Sequence, residues 1–136
     1  MKLKHLLVLE AVFSLATGLG LVLAPKTVLF VYRLDSDATG IFMSQNAGGL
    51  YFGLGLLAWL VRNLDQVELR RPICLTYSAY HIVLLVVALT AWLSGDFNFQ
   101  YGWISAMIEI FFAAGFGYFY FAGGTRVRNH SQTRRR

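Results

Sequence analysis

The chain has 136 residues, 57% hydrophobic and 15% aromatic, with a mean hydropathy of +0.55. That length allows one domain, and a composition this apolar excludes an ordinary soluble one. The net charge of +5, from 12 Lys and Arg against 7 Asp and Glu, is concentrated outside long apolar runs.

Four such runs follow one another: Leu6–Ala24, Ile41–Val61, Ile73–Leu93 and Trp103–Ala122. Each is about the 20 residues a helix needs to cross ~30 Å of hydrocarbon. A transmembrane barrel would need many more segments of about ten alternating residues. The expectation is an all-α, integral membrane four-helix bundle, up-down-up-down, as a single membrane domain over 1–136 with a basic tail at 123–136.

The first run follows a basic start, "MKLK", as a signal peptide would. Glu10 interrupts its apolar core and Pro25 follows its only small-residue exit, so it reads as a retained helix. Its polar and small residues, Glu10, Ser14, Thr17 and Gly18, recur at i, i+4, i+7 and i+8 on one face.

The connection "PKTVLFVYRLDSDATG" begins apolar and aromatic, which suits a short helix lying in the interface. Its end, "DSDATG", is a turn able to cap the next helix.

The second run carries two amides, Gln45 and Asn46, and four glycines, Gly48, Gly49, Gly53 and Gly55. At ~100° per residue, Gly48 and Gly55 fall on one line. Gly49 and Gly53, a GxxxG spacing, fall on another about 120° away. Lipid gives helices no hydrophobic reason to associate, so close backbone approach and hydrogen bonds must do it. Two small lines predict two close neighbours, with Ala47, Leu50, Leu54, Leu57 and Ala58 left for lipid.

After the polar loop "RNLDQVELRRP", Pro72 is expected in the first turn of the third helix. Cys74, Tyr77, Ser78, His81, Ala88 and Trp92 share a face there. The outer loop "SGDFNFQYG" is flanked by Trp92, Tyr101 and Trp103 as interface anchors. In the last helix Gly102, Ser105, Ala106, Glu109, Ala113, Gly117 and Tyr120 form the corresponding stripe.

Orientation follows from the basic residues. Ten (Lys2, Lys4, Arg62, Arg70, Arg71, Arg126, Arg128, Arg134, Arg135 and Arg136) fall on one side, and only Lys26 and Arg33 on the other. This places both termini inside, N-in/C-in, in a multi-pass protein of a bacterial cytoplasmic (inner) membrane. The basic tail suits anionic lipid headgroups rather than nucleic acid.

Depth, counted from the ends of the apolar runs, predicts two polar layers: an inner Glu10–His81 pair and an outer Glu109–Gln45/Asn46 cluster. An ionisable group in hydrocarbon costs several kcal/mol and finds a partner or water. These five residues are the candidate ligand or proton site, and the four glycines the packing residues. Alternatively, each layer is interhelical glue.

No enzyme signature is present: no CxxC, no phosphate-binding loop, no dinucleotide fingerprint. Nucleophilic catalysis would need Ser78 or Cys74 with His81 and an orienting acid, and no motif supports such a triad. A zinc site needs three or four clustered ligands, and Glu10 with His81 supplies two, so no metal is expected. No second membrane-embedded His is present for a bis-His haem, and the lone Cys74 reads as a small apolar helix residue.

A glutamate in the first of four helices resembles the small multidrug-resistance antiporters, but those tolerate dual topology where ten-to-two fixes one. A closer resemblance is to small four-helix bacterial membrane proteins of the DoxX-like and unknown-function kind. It is carried by an outer loop ending in acidic residues, "GGLYFGLGLLAWLVR", "RRP", the "YH" of the third helix and an acid in the fourth, over about residues 5 to 122. The resemblance implies a membrane protein working with respiratory or thiol-redox partners. The expected function is an accessory or stabilising subunit of a larger membrane complex, without catalysis or a required cofactor, whose partners are lipids and other membrane subunits or itself. The alternatives are a carrier or binder of a small lipophilic or cationic molecule using the buried acids, and a quinone-linked redox component.

Overall fold

The structure is a computed structural model that describes residues 2–32, 34, 37–64, 66–94 and 99–133, and the side chains of these except 67, 99–102 and 123–133. The described residues form helices α1 (Leu3–Leu23), α2 (Pro25–Val31), α3 (Ala38–Val61), α4 (Val67–Leu93) and α5 (Phe99–Thr133). Arg33, Tyr101 and Gly102 lie outside the described side chains, as do the basic residues of the tail.

Local chemistry sets most of the boundaries. Proline disfavours the helical region for the residue before it, and α1 stops at Ala24, whose φ is −136° and ψ 53°. Pro25 then opens α2 at its first position, where no N–H is needed. This is the short helix expected in the first connection. Asp37 caps α3 as expected: its Oδ1 accepts a hydrogen bond from Gly40 N at 2.6 Å.

Helix α4 departs from expectation. It begins at Val67 and carries Pro72 in its interior. The polar turn before the apolar run is helical because Glu68 sits in the first turn, where a carboxylate meets the positive end of the helix. Arg70 Nε donates to Leu64 O at 2.8 Å just ahead of it.

Three helices are long and apolar enough to cross a membrane: Leu3–Leu23, Glu68–Leu93 and Trp103–Ala122. Helix α3, at 24 residues, has the length but falls short in hydropathy. The cause is the four glycines and the amides of Gln45 and Asn46.

The chain divides into two compact units, Met1–Asn63 with Ala91–Trp103, and Leu64–Thr90 with Ile104–Arg136. In the first, α1 and α3 run antiparallel in backbone contact. A Cβ added at Gly18 would lie 2.6 Å from Phe52 N and 2.8 Å from Gly48 O. One added at Gly55 would lie 2.7 Å from Leu15 N, and one at Gly48 only 2.8 Å from Leu21 Cβ. These positions have no room for a side chain. Gln45 closes the far end by donating to Val22 O at 3.2 Å, and α2 touches both helices with Leu29 buried.

The second glycine line behaves differently. Cβ atoms added at Gly49 and Gly53 would meet nothing within 4 Å. The covered face of α3 is instead Ser44, Gly48, Gly55 and Ala58, and Ala58 is fully buried rather than turned to lipid. One close neighbour, α1, accounts for the glycines that are pressed.

Candidate functional site

In the second unit α4 and α5 also run antiparallel, along a seam made of rings and polar groups. Cys74, Tyr77, Ser78 and His81 are its buried residues on α4, and Glu109, Phe112 and Phe116 those on α5. Successive pairings fix the register. Ser78 Oγ donates to Ala113 O at 3.0 Å, Tyr77 stacks on Phe116 with ring centres 5.0 Å apart, and the Arg71 guanidinium lies 5.1 Å over the Tyr120 ring.

At the heart of this seam His81 Nδ1 and Glu109 Oε2 are 2.5 Å apart. His81 is fully buried and Glu109 is 6% exposed. His81 stands at the middle of the candidate span Glu68–Leu93, and Glu109 within four residues of the middle of Trp103–Ala122. The imidazole nitrogen and the carboxylate oxygen are within direct hydrogen-bonding distance.

The imidazole also packs against rings. Its plane lies 17° from that of Phe112 at 4.9 Å and 6° from that of Phe116 at 6.2 Å, while Tyr80 meets it edge-on at 5.0 Å. Centre separations of 4.5–7 Å are those at which ring pairs attract. Tyr77 and His81 of α4 thus cluster with Phe116 and Phe112 of α5, whose own ring centres lie 6.2 Å apart.

The pairing corrects the two-layer expectation. Glu109 bonds His81, whereas the amide of Gln45 goes to Val22 O and that of Asn46 to Phe42 O on its own helix at 2.9 Å. Helix α4 starts six residues before the apolar edge from which depth was counted. Glu10 is fully buried in the first unit and accepts a hydrogen bond from Ser14 Oγ at 2.6 Å, one turn along α1. Glu10 and His81 belong to different units, and the pairing expected of them stays an expectation.

Phe112 and Phe116 were not among the candidates from sequence. Their signal was available: they follow Glu109 at i+3 and i+7, on its face, as Tyr77 precedes His81 by four. Among the described residues no group of three or more His, Cys, Asp or Glu side chains comes together, and every buried side-chain nitrogen or oxygen has a hydrogen-bond partner.

Comparison with protein-family models, with curated proteins and with solved structures finds no match for this chain. The helices define its class, a helical multi-pass membrane protein. What is particular to it is the acid–histidine pair near the middle of two of its candidate spans.

Proposed function

We propose that this is a four-pass protein of a bacterial cytoplasmic membrane, N-in/C-in, that binds or carries a small cationic species through the intramembrane pair His81–Glu109. The observation that carries this reading is the pair itself. Glue between helices needs only hydroxyls and amides, worth ~0.6–2 kcal/mol per bond. A carboxylate and an imidazole at mid-membrane are costlier choices, and they characterise ion and proton pathways. Two further observations support the four-pass topology. Helix α3 lies backbone to backbone against α1 from Gln45 to Gly55, so it shares the depth of that spanning helix. The ten-to-two division of basic residues favours both termini inside.

The accessory-subunit reading has one observation in its favour. The α3 face of Phe42, Asn46, Gly49, Gly53 and Leu60 is exposed along its whole length, as a helix awaiting another membrane helix would be. Native mass spectrometry of the protein, tagged at its C-terminus and gently extracted from its own membrane, separates the two. A binder or carrier emerges alone or as a small homo-oligomer. Emergence at fixed stoichiometry with larger membrane proteins replaces that reading with the accessory one.

A further inference from the structure

Three arginines border the connection between α3 and α4, and the structure sets each one differently. Arg62 lies 3.7 Å over the Trp59 ring and donates to Trp59 O. Arg70 is half-buried, and its Nε donates to Leu64 O at 2.8 Å. Arg71 is exposed, with its guanidinium carbon 5.1 Å from the centre of the Tyr120 ring. Among the described residues it gives no hydrogen bond and joins no ion pair, which leaves its N–H groups to a ligand. We propose that Arg71, held over Tyr120, clamps the phosphate of a bound anionic phospholipid whose acyl chain lies along Leu75 and Ile82 of α4. None of this depends on the His81–Glu109 pair.

Position favours this ligand. Arg71 stands two residues before the apolar run Ile73–Leu93, and Tyr120 two residues before the end of the span Trp103–Ala122. Their contact marks one shared end of two candidate spans, the level at which aromatic rings and headgroups meet. From there Leu75 and Ile82 follow at i+4 and i+11, within ~40° of Arg71 around the helix, and both are exposed. Ile82 lies ~17 Å beyond Arg71 along the axis, close to half of the ~30 Å hydrocarbon core. An acyl chain running from Arg71 to Ile82 therefore spans one leaflet. All four residues belong to the second unit.

The chemistry favours a phosphate. A guanidinium is a planar fork that matches phosphate oxygens in pairs, and it stacks on an aromatic ring as an ammonium does not. The ring restricts the side chain before binding, so less freedom is lost when the lipid arrives. Charge favours an anionic headgroup over a zwitterionic one. In sequence the connection carries Arg62, Arg70 and Arg71 against Asp65 and Glu68, and α5 continues beyond Tyr120 with Arg126 and Arg128 and no acid. Basic sites at the ends of membrane helices recruit anionic lipid headgroups.

The test is native mass spectrometry of the full chain, delipidated in detergent and titrated with dioleoyl phosphatidylglycerol or dioleoyl phosphatidylcholine. One phosphatidylglycerol should bind ahead of any others and more tightly than phosphatidylcholine. Arg71→Gln should weaken it about tenfold, the equivalent of one hydrogen bond to a charged group. Arg71→Lys keeps the charge without the planar fork and should recover only part of that loss. Tyr120→Phe keeps the ring and should bind as the wild type does, whereas Tyr120→Leu should weaken binding. Circular dichroism checks that helix content is unchanged in each variant.

Equal affinity for the two lipids in the folded wild type overturns the proposal. So does a Lys4→Gln variant that loses phosphatidylglycerol as completely as Arg71→Gln, since a positive charge anywhere would then suffice. Displacement of the lipid by inorganic phosphate at equal concentration also overturns it, because free phosphate would then be the ligand. Retention by the wild type and by Lys4→Gln, with loss in Arg71→Gln and Tyr120→Leu, is the expected result.

Discussion

Two helix pairs in this chain meet by opposite means. Helices α1 and α3 meet where side chains are missing, at Gly18, Gly48 and Gly55, so that backbone atoms touch backbone. Helices α4 and α5 meet where side chains are largest, at Tyr77, His81, Phe112 and Phe116, with one acid drawn in among the rings. Both solve the same difficulty, since lipid does not drive helices together. The first solution maximises dispersion contact where the two backbones touch. The second buries an acid–histidine pair among its rings. The two seams therefore differ in what fills them, backbone contact in the first and rings with a polar pair in the second.

The comparison can be broken at either seam. The largest effect is expected at the acid: Glu109→Ala removes the carboxylate at His81 Nδ1 and should destabilise by about 3 kcal/mol, as loss of one partner of a buried ionic pair does. Reversible unfolding in mixed detergent, followed by circular dichroism, measures it. Next come Gly18→Ala and Gly48→Ala. Their new methyl groups would collide with backbone and Cβ atoms, and overpacking of this kind costs about 1–3 kcal/mol each.

Asp37→Ala, which removes the cap of α3, should cost about 1 kcal/mol in the same assay. The smallest effect has the opposite sign. Gly49→Ala and Gly53→Ala fill open space on a helix and should stabilise the isolated protein by up to about 1 kcal/mol each. If these two destabilise as much as Gly18→Ala does, the distinction between the pressed and the open glycine lines is wrong.

Much of this architecture could be read from the residues. Apolar runs located the long helices, Pro25 and Asp37 marked the turns around α2, and the stripe Glu10, Ser14, Gly18 coincides with buried positions of α1. The faces through Tyr77, Ser78 and His81 and through Glu109 were likewise visible at helical spacing. Sequence reasoning failed where a helix outruns its apolar stretch. Residues Val67–Arg71 precede the apolar run and are helical, with Glu68 in the first turn.

It failed also on α3, because small residues show where a neighbour could come close without showing that one does. Gly49 and Gly53 carry the same pattern as Gly48 and Gly55, and only the partner helix tells them apart. The ring stack was missed for another reason. Phenylalanine in a membrane helix is ordinarily lipid-facing surface, and its role here depends on which residue of α4 lies opposite.

The central claim is that His81 and Glu109 act as one unit, and a double-mutant cycle on the two addresses it most directly. Unfolding free energies would be measured for the wild type, His81→Phe, Glu109→Leu and the double variant in the same lipid mixture. The account predicts a coupling of about 1 kcal/mol or more, with the double variant more stable than the two single changes imply. Effects that add to within about 0.3–0.5 kcal/mol, the range for independent sites, would contradict it.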